Sequence, residues 1–206
     1  MGTLNFLTGN PGKLSEAQEL LGPLGVNVQS FRIEGEQPDI IEPQSENLTT
    51  VALAKIAQGV ELLAAEDRLH EMLLVEDSGL FIDALPDFPG VYSSFVFKSL
   101  GCEGILKLLE DNRDARFMTA AALWTGEAVE VFIGVCEGEI SREIRGEDGF
   151  GYDPIFVPHD DTQGRTFAQL KSEEKSSMSH RGKALRALYD YLAGTEPSVG
   201  IPKTDP

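Results

Sequence analysis

Residues 72–75, Met-Leu-Leu-Val, form an unbroken apolar run that ends in two adjacent carboxylates, Glu76 and Asp77. A strand that is apolar on both faces belongs inside a sheet with a covering layer on each side. Its acidic end reads as the rim of an active site, because carboxylates beside a buried strand are costly unless something positive meets them. The covering layers are legible around it. Residues 4–8 form a short apolar strand and 9–12 a turn. A helix then runs from Lys13, with Leu14, Ala17, Leu20 and Leu21 at helical spacing, until Gly22-Pro23 stops it. Residues 26–31 read as a second strand and 34–47 as an acidic loop with two prolines. A longer helix follows, carrying Leu48, Ala52, Ile56, Val60 and Leu63 on one face.

Beyond the acidic pair the spacing gives a further strand at 80–84, a turn at 86–90 and a short helix at 103–109. Three β-rich stretches come next, at 117–124, 129–136 and 139–144. Residues 146–153 are glycine-rich and 154–157 extended. The last helix is 179–192, capped by Ser179, with Leu185, Leu188 and Leu192 on its apolar face. A β-α-β start, an antiparallel middle and a closing helix define the fold class as α/β, a mixed sheet flanked by helices. Residues 1–193 read as one domain, and 194–206, with three prolines, as a flexible tail.

The 206 residues are 41% hydrophobic and carry a formal net charge of −17. Such a field repels polyanions and argues against nucleic-acid binding through a broad basic face. A small anionic ligand remains compatible if a local cluster of cations overrides it. No apolar run approaches the ~18 residues of a membrane span, so no membrane partner is expected. Cys102 and Cys136 show no metal-ligand spacing and read as small hydrophobes in a reducing, cytoplasmic compartment.

Four segments carry chemistry. In Thr8-Gly9-Asn10-Pro11-Gly12-Lys13, a turn places backbone N–H groups and a helix N-terminus beside one lysine, which suits phosphate. It is not a Walker A loop: Leu7 stands where a glycine is needed and Leu14 where a hydroxyl is needed. In Glu76-Asp77-Ser78, alternation points the two carboxylates to opposite faces, so their roles differ. Mg²⁺ is their natural partner, because it takes one or two carboxylates plus substrate phosphates. In the third, Phe150-Gly151-Tyr152-Asp153, glycine allows close backbone approach while the rings offer flat faces to a base. The fourth holds Lys175, His180 and Arg181 at the mouth of the last helix, where the macrodipole ordinarily favours acids; an anion is expected there. His70 and His159 lack such company and read as surface residues.

Together these segments resemble the inosine triphosphate pyrophosphatase family, also called the Ham1 or RdgB family. The matching blocks are TGNPGK (8–13), VEDSGL (75–80), FPGVYSS (88–94), GFGYDPIF (149–156) and EEKSSMSHRGKAL (173–185), in the family's order. The wording is most similar to archaeal members. The resemblance implies a long mixed sheet, two lobes with a central nucleotide cleft, and a homodimer. It also implies hydrolysis of non-canonical purine nucleoside triphosphates (ITP, dITP, XTP) to the monophosphate and pyrophosphate.

By the same resemblance, Thr8–Lys13 bind phosphate, Asp77 is catalytic and holds Mg²⁺, and Ser78 lies beside the substrate. Phe150–Asp153 take the base, and Lys175, His180 and Arg181 supply the remaining basic contacts. The second metal carboxylate lies in the loop after the second strand. Glu42 matches best, with Glu36 and Glu46 as alternatives. Asp77 or Glu76 would orient the attacking water, and Arg181 would face the 6-oxo group of the base. Two other readings are a related pyrophosphatase with another base preference and a non-catalytic nucleotide sensor.

Overall fold

The structure, a computed structural model, describes residues 2–195; the expected tail beyond Thr195 lies outside them. Seven strands form one mixed sheet: β1 (Thr3–Phe6), β2 (Asn27–Ser30), β3 (Met72–Ile82), β4 (Leu85–Gly90), β5 (Asp114–Trp124), β6 (Val129–Ile140) and β7 (Phe156–Pro158). The five helices are α1 (Pro11–Leu21), α2 (Leu48–Ala65), α3 (Ser93–Leu108), α4 (Ser172–Met178) and α5 (His180–Ala193). The order across the sheet is β2-β1-β3-β5-β6-β7, with β4 paired to β3. β1 runs parallel to β2 and β3, and every other pairing is antiparallel.

Alternation along β3 sorts its side chains between two layers. Leu74 joins Leu4, Phe6, Ala17 and Leu185 in a core beneath α1 and α5. Leu73 and Val75 join Ala52, Ile56 and Leu63 beneath α2 on the opposite face. A third core, around Phe117, Phe156 and Phe167, fills the far end with α3. α2 spans 18 residues at a mean hydropathy of 1.4, long and apolar enough to cross a membrane, contrary to the sequence expectation. Its apolar stripe instead lies on β3 and β5, with Val51, Ala52, Ile56 and Leu63 buried.

The acidic pair does not end its strand. β3 continues through Glu76 and Asp77 to Ile82, because β5 pairs with it without a break from Leu73↔Trp124 to Ile82↔Ala115. The further strand expected at 80–84 is therefore the end of β3 itself, which stops at Ile82. What stops near the acidic pair is the neighbour: β1 pairs only as far as Leu74, and β4 takes over at Leu80. Between those limits one edge of β3 has no strand partner. The Glu76 carbonyl there accepts from Lys13 Nζ (3.5 Å) and Lys55 Nζ (3.3 Å), side chains replacing a missing strand.

Other boundaries also differ from expectation. Residues 86–90 belong to β4 rather than a turn, and α3 begins at Ser93 rather than 103, bending at Gly101 (φ 61°). The stretches at 129–136 and 139–144 are one strand that ends at Ile140. Residues 153–155 make a 3₁₀ turn before β7. Lys175 lies in the last turn of a separate helix, α4; Ser179 ends α4 and caps α5 through Gly182 N–H (3.1 Å). The three expected cations thus come from two helices, not from one N-terminus.

Candidate active site

The unpaired edge of β3 borders a cleft of about 640 Å³, within the range of small-molecule sites. Its walls include Thr8, Gly9, Asn10, Lys13, Glu42, Asp77, Ser78, Phe150, Gly151, Tyr152, Asp153, Lys175, His180 and Arg181. Of the expected site residues, Pro11 and Gly12 stand outside it. Pro11 opens α1, where its missing N–H costs nothing. Gly12 packs under Phe150: a Cβ there would come within 2.7 Å of the ring. Of the three loop carboxylates, Glu42 lines the cleft and Glu36 and Glu46 do not.

The turn before α1 differs from a backbone phosphate cradle. Asn10 N–H donates to Thr8 Oγ1 (3.2 Å), and Asn10 Oδ1 accepts from Gly12 N–H (2.9 Å) and Lys13 N–H (3.3 Å). Pro11 has no N–H. These bonds take up the N–H groups of residues 10, 12 and 13, while Gly9 and the Lys13 side chain line the cleft.

Glu76 and Asp77 face opposite layers, as alternation requires. Glu76, on the α1/α5 side, accepts two bonds from Arg181, from Nε to Oε2 and from Nη2 to Oε1, each 2.8 Å. Ser78 Oγ donates to the same carboxylate, and Lys13 Nζ lies 3.4 Å from it. Burial alone would raise its pKa, but Arg181 and Lys13 hold it well below the usual carboxylate range. Arg181 Nη1 also pairs with Glu16 of α1, and Glu16 bridges to Lys175 Nζ (2.7 Å). Lys175 reaches Asp153 Oδ2 at 2.7 Å, and that oxygen also accepts the Phe150 N–H (2.8 Å). Arg181 and Lys175 both stand over the Phe150 ring, at 5.5 and 4.9 Å from its centroid.

Asp77, on the α2 side, meets Lys55. Lys55 Nζ lies 3.4 Å from Asp77 Oδ1 and 2.8 Å from Glu42 Oε1. Burial raises the Asp77 pKa, and Lys55 and Lys13 offset only part of that. Burial would lower the Lys55 pKa, but Asp77 and Glu42 together raise it, so it stays charged. Asp77 Oδ2 is buried and accepts no hydrogen bond. Among the described residues no group of three or more His, Cys, Asp or Glu could hold a metal alone. Glu42 and Asp77 converging on one positive point, with an orphaned carboxylate oxygen, do fit a Mg²⁺ that completes its shell with substrate oxygens.

At the other end, Tyr152 is a core residue. Its hydroxyl donates to Ser93 O (3.2 Å) and its ring meets Phe97 edge-on at 5.2 Å. Phe150, half-buried, is the ring open to a ligand. His180 stacks on Phe117 at 4.6 Å; burial, and then Arg181, lower its pKa well below the ordinary value, so the imidazole is neutral. Sequence reasoning missed Lys55 and Glu16. Lys55 was detectable as a lone lysine on the apolar stripe of α2, one turn from Val51 and Gly59. Glu16 carries no such signal.

A mixed sheet with an unpaired stretch of strand edge, beside a cleft where carboxylates, cations and the Phe150 ring meet, defines an α/β protein with a charged cleft. The chain belongs to the Ham1 family, whose model matches residues 4–191. It is similar to the dITP/XTP pyrophosphatase of Thermococcus kodakarensis, 44% identical over 92% of this chain and 96% of that protein. The enzyme of the same name from Pyrococcus horikoshii is 42% identical over 91% and 95%. Among solved structures, a Ham1 protein from Coxiella burnetii superposes with a TM-score of 0.79 at 34% identity, covering 95% of this chain and all of that one. The Staphylococcus aureus Ham1 protein gives 0.76 at 28% identity, covering 93% and 98%.

Proposed function

We propose that this chain hydrolyses non-canonical purine nucleoside triphosphates, ITP, dITP and XTP, to the monophosphate and pyrophosphate, with Mg²⁺. The observation that carries this reading is the convergence of Lys13, Asp77, Phe150 and Arg181 on one cleft in a Ham1-family chain. Relatives named dITP/XTP pyrophosphatase support the choice of substrate. Glu42 and Asp77 would hold the Mg²⁺, which when bound supplies positive charge against the phosphates. Lys13 and Lys55 fix the phosphate chain. Asp77, through its unpartnered Oδ2, orients a water and takes its proton as the water oxygen bonds to the α-phosphorus. The bond from that phosphorus to its bridging oxygen breaks and pyrophosphate leaves. Glu76 serves differently: locked to Arg181, it fixes that guanidinium and the Lys13 ammonium.

Base choice rests on the residues around Phe150. Arg181 already makes four hydrogen bonds, which leaves one N–H for a 6-oxo group. Lys175 and Asp153, beside Phe150, are the other polar contacts within reach of a stacked base. A homodimer in the cytoplasm belongs to the same reading. Tyr92 and Phe95, the latter 73% exposed, are aromatics a second copy could cover, and the free thiols Cys102 and Cys136 suit a reducing compartment. Steady-state assays with ITP, dITP, XTP, GTP and ATP, with product identification, test the activity. Monophosphate and pyrophosphate from the first three substrates are expected; diphosphate and phosphate, or no turnover, would contradict it.

A further inference from the structure

We propose that Gln58 is a positioning residue that fixes Glu42 for the metal, acting through the backbone of Ile41. The inference rests on the pyrophosphatase reading and concerns how its second carboxylate is kept in place.

Packing holds the loop of Glu42 at Ile40, partly buried against the core beneath α2, but not at the two residues that follow. Ile41 is 79% exposed and the Glu42 side chain 60% exposed. Among the described residues, the backbone of 37–44 makes hydrogen bonds at one residue only, Ile41. Both are to Gln58: Ile41 N–H donates to Oε1 (2.9 Å), and Nε2 donates to Ile41 O (2.7 Å). Nε2 also donates to Ala54 O (3.0 Å), a turn back on α2, so both amide orientation and rotamer are set. A free loop residue samples many backbone states, and removing that freedom before the ligand arrives strengthens binding.

The residue type is specific. Glutamate at 58 could not donate to Ile41 O, and asparagine is one methylene short. Lys55 and Gln58 are three apart on α2 and share a face, so the helix grips residues 41 and 42 from neighbouring positions. The two grips differ in kind. Lys55 holds the Glu42 carboxylate by charge, a contact that an arriving cation competes with. Gln58 is neutral, and its hold on the backbone is indifferent to the charge in the site.

The test uses the full chain with Gln58→Met, which keeps length and packing but loses both bonds, and Gln58→Ala as a second variant. Two metal constants are read: the Mg²⁺ concentration for half-maximal ITP turnover, and Mn²⁺ binding to nucleotide-free protein by electron paramagnetic resonance. Both constants are expected to weaken about five- to tenfold, with kcat at saturating metal within about twofold of wild type. Glu42→Gln should weaken the same constants, and adding Gln58→Met to it should change them no further. Wild-type constants in both Gln58 variants, or effects of Gln58→Met and Glu42→Gln that multiply in full, would overturn the inference. Absence of ITP turnover in the wild-type chain would instead sink the assigned activity, while the Mn²⁺ measurement still reads the clamp.

Discussion

Glu76 and Asp77 are consecutive, yet one is saturated with partners and the other keeps a bare oxygen. Glu76 is held by Arg181, Ser78 and Lys13, so removing it would take a carboxylate partner from Lys13 and leave the buried Arg181 with Glu16 alone. Asp77 Oδ2 has no donor, which suits a group that must accept a proton or a cation. Asp77→Asn should therefore leave the fold and melting temperature close to wild type and lower kcat by about 10²–10⁴-fold, the range lost with a general base. Turnover near the wild-type rate would remove Asp77 from the chemistry. The acidic pair and its divided roles could be read from the sequence through strand alternation. Which carboxylate was free could not, because that depends on Arg181, more than a hundred residues away, and on Glu16, whose position in α1 looks like any solvated surface.

The elements that carry the site were legible where their apolar period is strong and obscure where tertiary contact decides. α2 and α5 follow from their stripes. β3 was divided in two because Glu76, Asp77 and Ser78 interrupt its apolar pattern, while an unbroken ladder with β5 holds the strand together. α4 went unseen because six of its seven residues are polar; a hydrogen bond from Lys171 N–H to the Glu174 carboxylate marks its start. α5 brings His180 and Arg181 to the cleft by lying directly on β6, and Gly134 permits that contact. A Cβ at 134 would sit 1.9 Å from His180 O and 2.7 Å from Ala184 N. Gly134→Ala should lower unfolding stability by about 1–3 kcal/mol and raise KM for ITP as α5 shifts. An unchanged denaturation midpoint would show that the helix does not depend on this approach.

On the scale of the whole molecule, a chain of net charge −17 gathers Lys13, Lys55, Lys175 and Arg181 around one cleft. Each is paired with a carboxylate, and the four cations together meet Glu16, Glu42, Glu76, Asp77 and Asp153. Five stretches spread over most of the chain meet because β1 stops short of β4 along β3 and leaves room between them. In the proposed reaction Asp77 directs water to the α-phosphorus rather than to the tip of the triphosphate. Hydrolysis of ITP in oxygen-18 water, with both products analysed by mass spectrometry, reads this directly. The label is expected in the monophosphate and absent from pyrophosphate; label in pyrophosphate, or in released inorganic phosphate, would contradict the account.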